Sequence, residues 1–94
     1  MSEPAESAIP RFARGFRMRR DAVRDTWVVL GPERAFVPDA IAAEVLQHVD
    51  GSMTFAAIID TLAARYAAPR AQIAADVLTL AGDLAEKGLL TVGT

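Results

Sequence analysis

Apolar and polar residues alternate with period two in the first third of the chain. From there on they recur every three to four positions. Phe16 and Met18 alternate with Arg17 and Arg19, the pattern of a strand with one buried face. Trp27-Val28-Val29-Leu30 is apolar on both faces, as a central strand is. Arg34-Ala35-Phe36-Val37 makes a third run, stopped by Pro38. The polar link Arg20 to Thr26 suits a hairpin loop, and Gly31-Pro32-Glu33 a tight turn. The pattern predicts a three-stranded antiparallel sheet.

Everything after Asp39 reads as helix. Asp39 is placed to cap a first helix carrying Ile41, Ala42, Val45, Leu46 and Val49 on one stripe, ended by Asp50-Gly51. Thr54 caps a second, in which Phe55, Ile58, Ile59, Leu62, Ala63 and Tyr66 share one face. Pro69 suits the first turn of a third. That helix has an apolar stripe, Ile73, Val77, Leu80 and Leu84. Beside it runs a mostly small row, Ala74, Leu78, Ala81 and Ala85, which predicts a shallow channel open to another backbone. Gly88 ends the helix, and Leu89 to Val92 reads as a short extended tail that packs back. The fold class is α+β, with one domain over residues 11–92 after a loose tail over 1–10.

Ninety-four residues with 52% hydrophobic content suffice for one small core. There is no cysteine, which removes disulfides and thiolate chemistry and fits a reducing, cytoplasmic setting. The longest run of large apolar residues, Trp27 to Leu30, is far too short to span a membrane, and the acidic N-terminus is no signal peptide. The net charge of −2 is uneven. Arginines at 11, 14, 17, 19, 20, 24 and 34 make the sheet end basic. Asp39, Glu44, Asp50, Asp60, Asp76, Asp83 and Glu86 make the helical end acidic.

Nothing in the sequence carries catalysis. His48 is the sole histidine, lies off the apolar stripe and has no second ligand at a useful spacing, so it reads as solvated. Asp76 and Asp83 share a helix face and read the same way. No phosphate loop, nucleophile elbow or metal-binding cluster is present, and no cofactor is expected. The six arginines between 11 and 24 are the candidate for a nucleic-acid-binding winged helix. Against it, the third helix carries Asp76, Asp83 and Glu86, which would repel phosphate. Arginines along an edge strand also serve to block unwanted pairing.

The remaining candidate is the edge of the third strand. The first strand is guarded by Arg17, Arg19 and Arg20, whereas the third has only Arg34. If Ala35 and Val37 face the helices, Phe36 lies outside with Arg34. Such an edge either accepts a strand from another chain or is covered by the last residues of this one. The far face of the sheet, Trp27/Val29 or Val28/Leu30, either docks a partner or lies under residues 9–14.

The same residues carry a resemblance. Arg14-Gly15-Phe16-Arg17, Asp21 to Trp27, Pro32-Glu33-Arg34, Asp50-Gly51, Ala67-Ala68-Pro69, Asp76-Val77 and Lys87-Gly88-Leu89-Leu90 resemble, in order and spacing, the pyrroloquinoline quinone (PQQ) biosynthesis protein D family. The likeness runs from Pro10 to Leu90 and departs at Phe36-Val37-Pro38, where the family has an aliphatic residue before the aspartate. It implies a winged-helix-like peptide chaperone and no enzyme. Such a chaperone binds the leader of a ribosomally made precursor peptide and presents it to a radical S-adenosylmethionine enzyme, which joins a glutamate to a tyrosine. In that family the leader adds as a strand to strand three and lies against helix three. Carried over here, the contact set is Arg34, Ala35, Phe36 and Val37, opposite Ala74, Leu78, Ala81 and Ala85. The arginine-rich sheet end would suit an acidic precursor. The open sheet face would suit the enzyme or a second copy of the chain in a homodimer.

Overall fold

The computed structural model describes residues 3–93. Its elements run β1 (Ile9–Phe12), β2 (Arg17–Asp21), β3 (Thr26–Gly31), β4 (Arg34–Phe36), α1 (Ala40–Leu46), α2 (Phe55–Tyr66), α3 (Arg70–Glu86) and β5 (Leu90–Gly93). The three strands expected from the alternation are β2, β3 and β4, an antiparallel sheet with β3 in the middle. Three helices follow, as expected, in an α+β, winged-helix-like arrangement.

A second sheet extends that expectation. β1 pairs antiparallel with β5, from Ile9 opposite Gly93 to Phe12 opposite Leu90. The extended tail that packs back therefore does so against the start of the chain. The loose tail expected over 1–10 is corrected for most of its length, residues 1 and 2 lying outside the described residues. Ala8 and Pro10 are buried, and Ile9 and Pro10 belong to β1. The carbonyls of Glu6 and Ala8 accept from the N–H groups of Ala56 and Phe55. The Glu6 carboxylate pairs with Arg70 at 2.7 Å, and Glu3 accepts from the Thr79 hydroxyl at 2.7 Å. The segment thus satisfies two of the unpaired donors at the α2 N-terminus, while Thr54 Oγ1 accepts a third from Ala57 at 3.1 Å.

Local chemistry sets the other boundaries. Asp39 Oδ1 accepts from Ala42 N–H at 2.8 Å and starts α1. α1 stops at Leu46, before the expected Val49, and the loop turns at Gly51, whose φ is +82°. There the Asp50 carboxylate gathers the N–H groups of Ser52 and Met53, each at 2.9 Å.

The core has two lobes. Phe55, Ile58, Ile59 and Leu62 of α2 pack with Val45 of α1, Val77 and Ala81 of α3, and Ala8. Val29, Leu46, Leu84, Leu89 and Leu90 form the second lobe, with Phe16, Met18 and Phe36 against it. Leu80 touches both. The inner row of the sheet is Met18–Val29–Phe36, cross-strand neighbours in register, and Val29 is fully buried.

A candidate peptide-binding edge and cleft

β4 pairs with β3 on one side and with no strand on the other among the described residues. The register shows which of its backbone groups are free. Pro32-Glu33 is a two-residue loop closed by the pair Gly31 and Arg34. In such a hairpin the closing pair is hydrogen-bonded and the next pair, Leu30 and Ala35, is not. The N–H and C=O of Ala35 therefore point away from the sheet. The last residues of the chain do not cover them, because β5 pairs with β1.

Side-chain parity on β4 is the reverse of the expectation. Arg34 and Phe36 share the helix side of the strand, Phe36 half-buried and Arg34 exposed, while Ala35 and Val37 are exposed on the other. Phe36 packs on the second lobe, with the Lys87 ammonium 5.9 Å from its ring. The Arg34 guanidinium sits 5.0 Å from the Phe16 ring and donates to the Lys87 carbonyl at 2.8 Å, at the C-terminal end of α3. These two side chains clamp the strand onto the helix. They leave its outer edge lined by a methyl and an isopropyl group.

The small row on α3 is also placed differently. Ala74 and Ala81 are buried in the first lobe, and Leu78 packs against it with Val92. Ala85 is half-buried. Their small size lets neighbouring elements approach within the core, so Ala74 and Ala81 present no surface to a visiting chain. A cleft at the start of α1 uses a different face of α3. It lies between Asp39 and Ile41 on the β4–α1 junction and Asp76, Thr79, Leu80 and Asp83 on α3, with a volume of about 320 Å³. Asp76 and Asp83 share a face and are exposed, as expected, and both line this cleft. The cleft itself depends on the direction of approach of α1, which no helical periodicity contains.

A second pocket of about 390 Å³ lies between α1, α2 and the start of α3. Its lining includes Ile41, Val45, Leu62, Tyr66, Ile73 and Val77. At the rim the Tyr66 hydroxyl donates to Glu44 Oε1 at 2.9 Å, and Arg65 pairs with the same carboxylate. That hydrogen bond to a carboxylate raises the tyrosine pKa above its ordinary value. Among the described residues no group of three or more His, Cys, Asp or Glu side chains is arranged to hold a metal ion.

On the outer face of the sheet, Arg17–Leu30–Ala35 and Arg19–Val28 are cross-strand neighbours. Val28 and Leu30 thus form the outward pair, with Trp27 and Val29 inward, and β1 lies against β5 instead of over them.

A free strand edge together with an acid-rimmed cleft, on a winged-helix-like α+β frame, is the build of a polypeptide-binding domain. Residues 26–90 match the family model of coenzyme PQQ synthesis protein D (PqqD). A PqqA binding protein of Rhodopseudomonas palustris (strain HaA2) is 50% identical over 97% of this chain and 86% of its own length. A PqqA binding protein of Gluconobacter oxydans is 45% identical over 92% and 90% of the two chains. Among solved structures, the chain superposes with a TM-score of 0.77 and 45% identity on the PqqD part of Methylobacterium extorquens PqqCD, covering 94% of each chain. That protein is described as a functional, stand-alone recognition element for ribosomally synthesised and post-translationally modified peptides. The crystal structure of PqqD from Xanthomonas campestris matches at a TM-score of 0.56 and 38% identity, over 88% of this chain and 92% of that one. The chain belongs to the PqqD family.

Proposed function

We propose that the chain is a non-catalytic carrier of PQQ biosynthesis. It binds a PqqA-type precursor peptide by strand addition to β4 and presents it to a radical S-adenosylmethionine enzyme in the cytoplasm. The observation that carries this reading is the unpaired outer edge of β4 at Ala35; the cleft that begins at Asp39 follows it along the chain. The names of the relatives support the choice of ligand. The peptide pairs its backbone with Ala35 and lays side chains past Val37 into the cleft between Asp39 and Leu80. Arg34 and Phe36 contribute by holding the strand in place. Ordering a disordered leader costs roughly 2–5 kcal/mol, which keeps the affinity moderate and allows release to the enzyme. The outer sheet face, Val28 and Leu30 between Arg17 and Arg19, is the surface we assign to the enzyme, since a bound leader leaves it free.

Ala35→Pro tests the edge directly. Proline removes the outward N–H, and its ring is tolerated on an edge strand. Calorimetric titration with the PqqA-type peptide should show a loss of about tenfold or more in affinity, with the melting temperature almost unchanged. Unaltered affinity in a folded variant would reject strand addition at β4.

A further inference from the structure

The three-stranded sheet has a second edge, at β2, which pairs with β3 alone among the described residues. The register fixes its free groups as it does for β4. In β3, Gly31 and Val29 turn their backbone groups to β4, so Leu30, Val28 and Thr26 turn theirs to β2. Their partners Arg17, Arg19 and Asp21 are thereby bonded, and the N–H and C=O groups of Met18 and Arg20 point out of the sheet. Among the described residues no other backbone segment meets them, since β1 lies in the ribbon with β5. The two sides of this edge differ in chemistry. On the outer face stand Arg17 and Arg19, both exposed and neither in an ion pair among the described residues. On the inner face a cleft of about 430 Å³ is lined by Phe12, Met18, Trp27, Leu46 and Val49. Trp27 is only half-buried there, with the Arg20 guanidinium 5.7 Å from its ring. Tryptophan and arginine are the residues in which binding interfaces concentrate their energy.

We propose that the β2 edge is a second strand-accepting site, and that its guest is an extended segment of the peptide-receiving enzyme in which acidic side chains alternate with apolar ones. The pleat dictates the alternation. Guest residues on the outer face stand beside Arg17 and Arg19, and those on the inner face beside Met18, over the cleft. Carboxylates suit the first set, and a large apolar side chain the second. The arginines also choose among guests. A second copy joined β2 to β2 must set Met18 or Arg20 opposite the same residues, which brings Arg17 and Arg19 against each other. A second copy offering β4 would bring Arg34 and no acid. The charges that keep the chain from pairing with itself therefore admit an acidic strand. Nucleic acid would use the cations and leave the apolar cleft empty. β2 and β4 are opposite edges of one sheet, so leader and enzyme bind at once and neither displaces the other. This inference rests on the enzyme partnership proposed above, and its test separates the two.

The experiment follows amide hydrogen exchange, residue by residue, in the full ¹⁵N-labelled chain. It is run alone, with a synthetic PqqA-type leader, and with the radical S-adenosylmethionine enzyme of the same organism. The enzyme should slow exchange at Met18 and Arg20, and the leader at Ala35 but not at those two. An enzyme that binds and leaves Met18 and Arg20 exchanging as in the free chain overturns the β2 site and leaves the partnership standing. An enzyme that does not bind at all removes both. Slowing of the same two amides in the chain alone as its concentration rises gives the edge to a second copy, and equal slowing by a DNA duplex gives it to nucleic acid; either result overturns the proposal. Variants supply an independent readout. Arg20→Pro removes one outward N–H on an edge strand and should weaken the enzyme about tenfold or more. Arg20→Ala keeps that N–H and should weaken it less. The double variant Arg17→Ala, Arg19→Ala should flatten the salt dependence of enzyme binding, because two screened charge pairs are lost. Leader affinity should be unchanged in all three. Full enzyme affinity in a folded Arg20→Pro overturns the site, and if that variant does not fold, the exchange of Met18 and Arg20 in the unaltered chain decides.

Discussion

Gly31 shows how much one missing side chain can decide. A Cβ at this position would fall within the Phe16 ring, which in turn carries the Arg34 guanidinium on its face. Arg34 then reaches the α3 terminus through the Lys87 carbonyl. Gly31→Ala should displace the ring, loosen the Arg34 clamp and destabilise the fold by about 1–3 kcal/mol, measurable by urea unfolding. By sequence Gly31 is only a turn residue, because ring stacking leaves no periodic trace. Asp50 makes a second prediction at this scale. Hydrogen bonds from the Met53 N–H first, and then from Ser52, hold its pKa below the ordinary aspartate value. A depressed folded-state pKa means the support is complete at neutral pH and is lost as pH falls below about 4 and through the lowered value. Unfolding measured on descending pH should show this loss, and Asp50→Asn should show a shallower decline.

At the scale of elements, helices two and three were legible because their apolar residues repeat over several turns. Thr54 and Asp39 were readable as caps, each a side-chain oxygen placed to accept from the first turn. β4 was legible as a strand, but its inward face was not. Arg34 stays exposed, and only the nearby α3 terminus shows where its guanidinium bonds. The row Ala74, Leu78, Ala81 and Ala85 has Ala74 and Ala81 buried and Leu78 and Ala85 half-buried. Small residues fit a close approach, and the sequence does not say whether the approaching element is internal or foreign. Leu78→Ala makes the distinction measurable. Since Leu78 packs on the first core lobe, its truncation should cost about 1–3 kcal/mol of stability and leave peptide affinity nearly unchanged. Lost affinity without lost stability would return that row to the binding site.

For the whole molecule, the longest-range pairing was the least legible. Ile9 and Gly93 lie at opposite ends of the described chain and face each other in one ribbon. Each partner is four residues long, too short to show alternation by itself. The segment before β1 adds the Glu6–Arg70 ion pair, the Glu3–Thr79 hydrogen bond and the two carbonyls that cap α2. A chain lacking residues 1–8 should therefore melt several degrees lower, by about 4–8 °C for each kcal/mol lost in a domain of this size. An unchanged melting temperature would restore the loose tail to those residues.

That ribbon also sets an order of assembly. β5 is the last of these elements to leave the ribosome, so β1 waits unpartnered while the hairpins and helices between them are made. Local pairs, β2 with β3 and α2 with α3, can close early, whereas the ribbon must bring together strands separated by almost the entire chain. The newborn protein therefore exposes a second unpaired strand, at β1, that the finished one has closed, and a peptide reaching it before release would meet two competing edges where the mature fold offers β4.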